Sequence, residues 1–440
     1  MMAPGIAMAR LAAITGLAFT ASAWSGTADA IDIQRVVSPH GITAWLVEDQ
    51  TIPLISMSFA FEGGASQDPA DKPGVANMLS GLLDEGAGDL DSQAFQARLD
   101  ELSVAMSFDT SRDTFDGSLT TLSANRDEAA RLLKLALTGP RFDSVPVERV
   151  RAQVMGSLKR GLGNPDQLAA EAMMKATYPG HSYGRPVEGT PESVAAIGVD
   201  DLKTFREKTF ARNTLKVAIV GAIDATAAAA MLDEVFRDLP VKSNLIGVPD
   251  VAAKSAGRID VTLAAPQTVI RINAPGITRS DPDRIAAIVA TYILGGGSDS
   301  RLFKTVRVER GLAYSVGLGL DTLEHSGTVS GGTETRSDQA EAVITLIKDE
   351  IATFAKDGPT ADELTNAKNY LIGSYPLRFV TSGQIADQLI GIQIDGRDID
   401  YVDRRNGLIA AVTIDDVRRA ARRLFASGDM TVVRVGPPQS

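Results

Sequence analysis

The chain has 440 residues, more than one ordinary hydrophobic core organises, so two to four domains are expected. Its 44 Lys plus Arg against 55 Asp plus Glu give a net charge of -11, and the lack of any basic block to neutralise phosphates excludes a nucleic-acid partner. There is no Cys, so stability must come from packing without disulfides.

Arg10 precedes an apolar stretch from Leu11 to Trp24, and Ala28-Asp29-Ala30 is a small-x-small cleavage pattern. This reads as a secretory signal peptide, residues 1–30. An uncleaved anchor is the alternative, disfavoured because the apolar run is short and interrupted by Thr and Ser. The mature chain then begins near Ile31, in a compartment best matched by the bacterial periplasm, and no later apolar run reaches the length of a membrane span.

Thr43 to Val47 and Ile52 to Phe61 alternate as paired strands would, and Glu62-Gly63-Gly64 ends the second. Pro73 suits the first turn of a helix whose Val75, Met78, Leu79, Leu82 and Leu83 form one apolar stripe. Ser92 to Leu102 is a second helix. Val104 to Phe108 and Thr114 to Ser123 read as a hairpin with Ser111-Arg112-Asp113 at its corner, and Asp127 to Leu137 and Val147 to Lys159 as further helices.

Two distant segments repeat. Asp200, Asp201, Leu202, Phe210, Ala211, Val217, Val220 and Gly221 match Asp415, Asp416, Val417, Phe425, Ala426, Val432, Val435 and Gly436, each pair 215 positions apart. Each segment reads as an Asp-capped helix followed by a strand ending in Gly. More loosely, Pro53 to Leu83 answers Val269 to Leu294, where Asp281-Pro282 starts a helix, and Arg98 to Thr121 answers Arg307 to Ser330. The expected fold class is therefore α+β: two tandem homologous domains, 31–240 and 259–440, joined by a linker at 241–258. Strands in mostly adjacent pairs with helices grouped between them imply, in each, an antiparallel or mixed sheet with helices on one face.

From Ser300 to Val316 a helix is expected to run into a strand. Leu302, Phe303, Val306 and Arg310 recur at helical spacing, Gly311 is a helix stop, and Leu312 to Val316 is short and apolar. Arg307 and Tyr314 fall seven residues apart across that corner. Taken alone they read as a surface Arg and a half-buried Tyr.

The glycine-rich Gly295 to Arg301 lacks the Lys-Ser/Thr ending of a phosphate loop, and Gly317-Leu318-Gly319 lies in a strand and opens no helix, so neither carries a nucleotide. The triple Gly reads as a flexible corner that lets the following helix swing or pack closely. Asp362-Glu363 and Asp200-Asp201 read as helix N-terminal acids.

Two stretches carry a family likeness: Gly296 to Val316, and His181-Ser182-Tyr183-Gly184-Arg185-Pro186. In them the mature chain resembles the pitrilysin or insulinase family of zinc peptidases, which includes the mitochondrial processing peptidases. The resemblance implies tandem α+β domains arranged as a half-clamshell around a peptide chamber. It also implies a His-x-x-Glu-His motif on the first amphipathic helix, with two imidazoles at i and i+4 on the metal and Glu as the base on its water. The matching positions here are Asn77, Ser80 and Gly81, and the family's third ligand, a Glu, falls about at Ser157. None of the four can do that work. Only His40, His181 and His325 exist, dispersed along the sequence, and His181 reads as a capping or packing residue.

Arg307 and Tyr314 do occupy the positions of the Arg and Tyr that reach over the zinc site from a second domain in family members. The implied role is to grip peptide carbonyls and to donate to a tetrahedral oxyanion, completing a partner's site. The expectation is a non-zinc-binding subunit, inactive alone. It has no cofactor of its own; zinc belongs to a homologous zinc-bearing peptidase subunit with which it forms a heterodimer acting on peptides. The alternative is a catalytically inactive peptide-binding or scaffolding protein that holds extended segments on a sheet edge.

Overall fold

A computed structural model describes residues 31–438, and the segment read as a signal peptide lies outside them. The first sheet contains β1 (Gln34–Val37), β2 (Thr43–Glu48), β3 (Leu54–Glu62), β4 (Ala105–Thr110), β5 (Thr114–Leu122) and β6 (Lys216–Gly221), in the order β1-β2-β6-β3-β5-β4. The second contains β7 (Gly257–Thr262), β8 (Thr268–Pro275), β9 (Ala313–Thr322), β10 (Gly327–Thr335) and β11 (Thr431–Gly436), in the order β7-β11-β8-β10-β9. In both, the last strand inserts in the middle: β6 runs parallel to β2 and antiparallel to β3, as β11 does to β7 and β8. The 215-residue repeat is thus a repeat of topology, with β1 added at one edge of the first copy.

The expected pairing of Thr43 to Val47 with Ile52 to Phe61 is corrected: both are strands, but β6 lies between them. Val217, Ala218, Ile219 and Val220 are fully buried, as a central strand covered on both faces requires. Alternation within β2 and β3 identifies strands but is silent on which strand lies beside them. The hairpin β4–β5 is where it was expected, with residues 111–113 at its corner.

Each half packs its own helices on one face of its sheet. Ile55, Met57, Phe59 and Phe61 alternate into the first core, where Phe59 meets Phe236 edge-on at 5.4 Å between ring centroids. Ile270, Ile272 and Val432 enter the second core with the apolar face of helix Arg284–Gly295. That helix comes so close to the sheet that a Cβ on Gly295 would lie 2.7 Å from the backbone N of Leu318, so close packing is the use made of this glycine.

The opposite face of each sheet receives a helix from the other half. Helix Ser382–Ile394 lies on β3 and β6, with Ser58 Oγ donating to Asp387 Oδ1 at 2.7 Å and Gln393 Nε2 to the Val217 carbonyl at 3.0 Å. Helix Pro165–Thr177 lies on β8 and β11, placing Ala169 and Met173 against Val269, Val433 and Val435. Arg271 bonds Asp166 at 2.6 Å and Asn273 Nδ2 donates to Thr177 Oγ1 at 2.8 Å. This reciprocal exchange explains why β3 and β11 are buried along almost their whole length.

The connecting segment is stitched to both halves. Gln67 exchanges two 2.8 Å hydrogen bonds with the backbone of Ile246, Val251 N donates to the His325 carbonyl at 2.9 Å, and Lys254 N to the Thr177 carbonyl at 3.0 Å. Its last two expected residues, Gly257 and Arg258, are already in β7. In both repeated helices Asp201 and Asp416 sit three residues inside the helix and accept from the N-cap backbone of Gly198 and Thr413, and Thr413 returns the bond to complete a capping box. The caps themselves are Gly198 and Thr413, which corrects the Asp-cap reading. Glu363 does the same for Thr360.

Candidate functional site

The first amphipathic helix is short, Val75–Ser80, and is started by the carboxylate of Asp68, which accepts from Gly74 N at 2.7 Å and Ala76 N at 2.9 Å. Burial pushes the Asp68 carboxyl up to about 6, against those two hydrogen bonds and the charges of Arg185 and Lys208. Val75, Met78 and Leu79 are buried as expected, whereas Leu82 and Leu83, also buried, lie past the end of the helix. The helix stops at Gly81, where a Cβ would come within 3.2 Å of Val150 Cγ1. Asn77 is half-buried, and Ser80 spends its hydroxyl on the Asn77 carbonyl at 2.9 Å.

Ser157, exposed on helix Ser144–Gly161, lines a cleft whose lining includes none of the other three. An amide, a committed hydroxyl, a missing side chain and an exposed serine do not fit a zinc ion. Among the described residues no group of three or more His, Asp or Glu could hold a metal.

Arg307 and Tyr314 come together. Residues Phe303–Glu309 form a π-type helix, a wider turn than the α-helix expected, and Gly311 at φ +62° turns the chain out of it. Leu312 N then donates to the Val306 carbonyl at 3.0 Å, and β9 begins at Ala313. Arg307 Nη1 donates to the Tyr314 carbonyl at 2.5 Å, and the guanidinium lies 4.2 Å from the Tyr314 ring centroid and 5.6 Å from that of Phe303. Tyr314 is 82% exposed, so the half-buried reading does not hold. A guanidinium stacked on an exposed phenol, on the edge strand of a sheet, presents donors that never lose charge beside a hydroxyl.

The His181 to Pro186 stretch is structural at one end. His181 Nδ1 accepts from Tyr183 N at 3.1 Å, capping the turn Ser182–Gly184, and its Nε2 lies 3.1 Å from the Pro249 carbonyl. Tyr183 is buried. Its hydroxyl donates to Asp113 Oδ1 at 2.5 Å and accepts from His325 N at 3.1 Å, and Glu324 N donates to Asp113 Oδ2 at 2.8 Å. Burial and the Asp113 carboxylate together push the Tyr183 phenol up. His181 and His325, far apart in sequence, flank one ring, at 4.8 and 6.3 Å between centroids. Sequence reasoning missed this junction between the halves; its one visible sign was the polar corner at Asp113.

Residues 196–371 match the family model described as the peptidase M16 inactive domain. A relative named non-peptidase homolog YmxG, from Helicobacter pylori, is 28% identical over 75% of this chain and 77% of its own length. One named uncharacterized zinc protease YmxG, from Bacillus subtilis, is 23% identical over 92% and 98%. A crystal structure of a peptidase M16 inactive domain from Pseudomonas fluorescens superposes with a TM-score of 0.87 at 27% identity, covering 93% of this chain and 98% of that one. Fold, motifs and relatives thus agree in their likeness: residues 196–371 match the inactive domain of the M16 peptidases, and over most of its length the chain is similar to relatives named non-peptidase homolog or zinc protease and to a solved M16 inactive domain.

Proposed function

We propose that this chain is the non-zinc-binding subunit of a periplasmic heterodimeric metallopeptidase, exported by the segment 1–30 and built of 31–240 and 259–440 about the connector 241–258. It supplies half of the peptide chamber and the pair Arg307 and Tyr314. A homologous subunit bearing His-x-x-Glu-His supplies the zinc. The observation that carries this reading is a preassembled pair, an exposed Tyr314 stacked on a half-buried Arg307, in a chain whose own metal positions are Asn77, Ser80, Gly81 and Ser157. Zinc in the partner would activate water; what this chain contributes is a phenol to donate to the oxyanion and a guanidinium to hold peptide carbonyls.

The test is reconstitution. The purified chain cleaves no peptide by itself, and adding a zinc-bearing partner produces activity that needs Arg307 and Tyr314. A second reading, peptide capture without hydrolysis, is favoured by one observation: β4 and β9 both end their sheets with an unpaired edge. Under it, peptides bind the isolated chain and no partner confers turnover.

A further inference from the structure

A cleft of about 840 Å³ opens between helix Ser144–Gly161, helix Pro165–Thr177 and the loop 184–190, and three cations line it: Arg112, Lys175 and Arg185. The two arginines are set into the protein in an unusual way. Arg112 Nε donates to the Tyr183 carbonyl at 3.1 Å, and Arg185 donates to the carbonyls of Asp68 and Ser66 at 3.1 and 3.3 Å. Neither forms an ion pair among the described residues, and Arg185 Nε is buried without a partner. Burial pulls both guanidiniums down from their ordinary range, outweighing the charges of Asp68 on Arg185 and of Glu188 and Asp113 on Arg112, none of which forms an ion pair with them among the described residues. The acids on the same walls are Glu171, whose Oε1 takes a 3.0 Å hydrogen bond from Gln167, and Glu188, whose charge acts on Arg112 at longer range. Position 157, where the family likeness expects a Glu, brings a neutral hydroxyl to this wall.

We propose that this cleft binds a carboxylate of a peptide, with Arg112 and Lys175 as its charged contacts and Arg185 as the fixed positive wall. A guanidinium fork matches a carboxylate in geometry, and a site already desolvated gains more from that charge than an exposed lysine would. Most of the remaining lining, including Leu168, Met174 and Val187, is apolar and suits the peptide's side chains, with Gln167 and Thr190 as polar exceptions. The volume is in the range of small-ligand sites, enough for the end or a short stretch of a peptide. The α-carboxylate of a chain terminus and the side chain of Asp or Glu offer the same group.

The cleft is formed by this chain alone, so the proposal is tested without a partner. Its failure would leave the peptidase reading standing, and the reverse also holds. Calorimetric titration at low salt would compare three short peptides of one sequence: free C-terminus, amidated C-terminus, and amidated with one internal Glu. At least one carboxylate-bearing form should bind about 10-fold tighter than the neutral one, and which one identifies the source. Lys175→Glu, at an exposed position, should remove that preference with no change in melting temperature. Arg112→Gln should weaken binding about 10-fold and Glu188→Gln should tighten it. Equal binding of all three peptides, an unaltered preference in Lys175→Glu, or competition by inorganic phosphate as strong as that by acetate would overturn the proposal.

Discussion

At the scale of single residues, Arg307 and Tyr314 are held by little, Tyr314 exposed and Arg307 half-buried against it. Their stack and single hydrogen bond lie on the surface, where such contacts are worth about 1 kcal/mol or less. Replacing either should therefore leave the fold alone. In the reconstituted enzyme Tyr314→Phe should lower kcat about 100-fold, the usual loss for one oxyanion donor, with subunit affinity unchanged. A fall in affinity of the same size, read by sedimentation or titration, would make the phenol an interface anchor instead. The seven-residue spacing was legible from the sequence, but the π-type turn that brings the pair into contact was not: Leu302, Phe303 and Val306 fit an α-helix as well. The exposure of Tyr314 was not legible either, because β9 is an edge strand only by virtue of where β10 lies.

At the scale of elements, the exchanged helices Pro165–Thr177 and Ser382–Ile394 bind the two halves together. Met173→Ala should cost about 2–3 kcal/mol, and it should raise amide hydrogen exchange in β8 and β11, strands of the other half, before it does so in β3. Unchanged protection in β11 would contradict the exchange as a stabilising device.

Strand β5, within reach of Asp387 on the second exchanged helix, carries a pH signal. Burial, and to a lesser degree the charges of Asp109 and Asp387, push the Asp116 carboxyl up to about 6, while a hydrogen bond from Thr114 at 2.7 Å opposes the shift. The folded chain thus holds this proton more tightly than the unfolded chain, whose Asp titrates near 3.8. Its stabilising contribution is complete below the unfolded value and is lost as pH rises through about 6. Asp116→Asn keeps an acceptor for Thr114 and should gain on the wild type between pH 4 and 7, by about 1 kcal/mol or more in urea denaturation. A difference that stays constant across that range would contradict it. Helices such as Ser92–Leu102 could be read to the residue from their stripes and caps. The exchange could not, because an amphipathic helix shows which face it buries and not whose sheet receives it. Nor could the insertion of β6, since pairing across some 160 residues leaves no local pattern.

At the scale of the whole molecule, the eight matches at one offset were enough to reveal two copies of one unit, and the topology of the sheets repeats accordingly. The halves are joined by more than a linker: the exchanged helices, the stitched connector and the Tyr183–Asp113–His325 junction all cross between them. At the positions where the family resemblance expects zinc ligands, Asn77, Ser80, Gly81 and Ser157 offer no ligand set, which could be read directly from the sequence. Under the proposed function, what the Arg–Tyr pair is for depends on a second protein. The most direct measurement is peptide hydrolysis by the purified chain mixed with a homologous His-x-x-Glu-His subunit. Activity should appear only in the mixture and should fall about 1,000-fold or more when Arg307→Ala and Tyr314→Phe are combined, the complex remaining intact. Full activity of that double variant, or of the zinc-bearing subunit alone, would contradict the account.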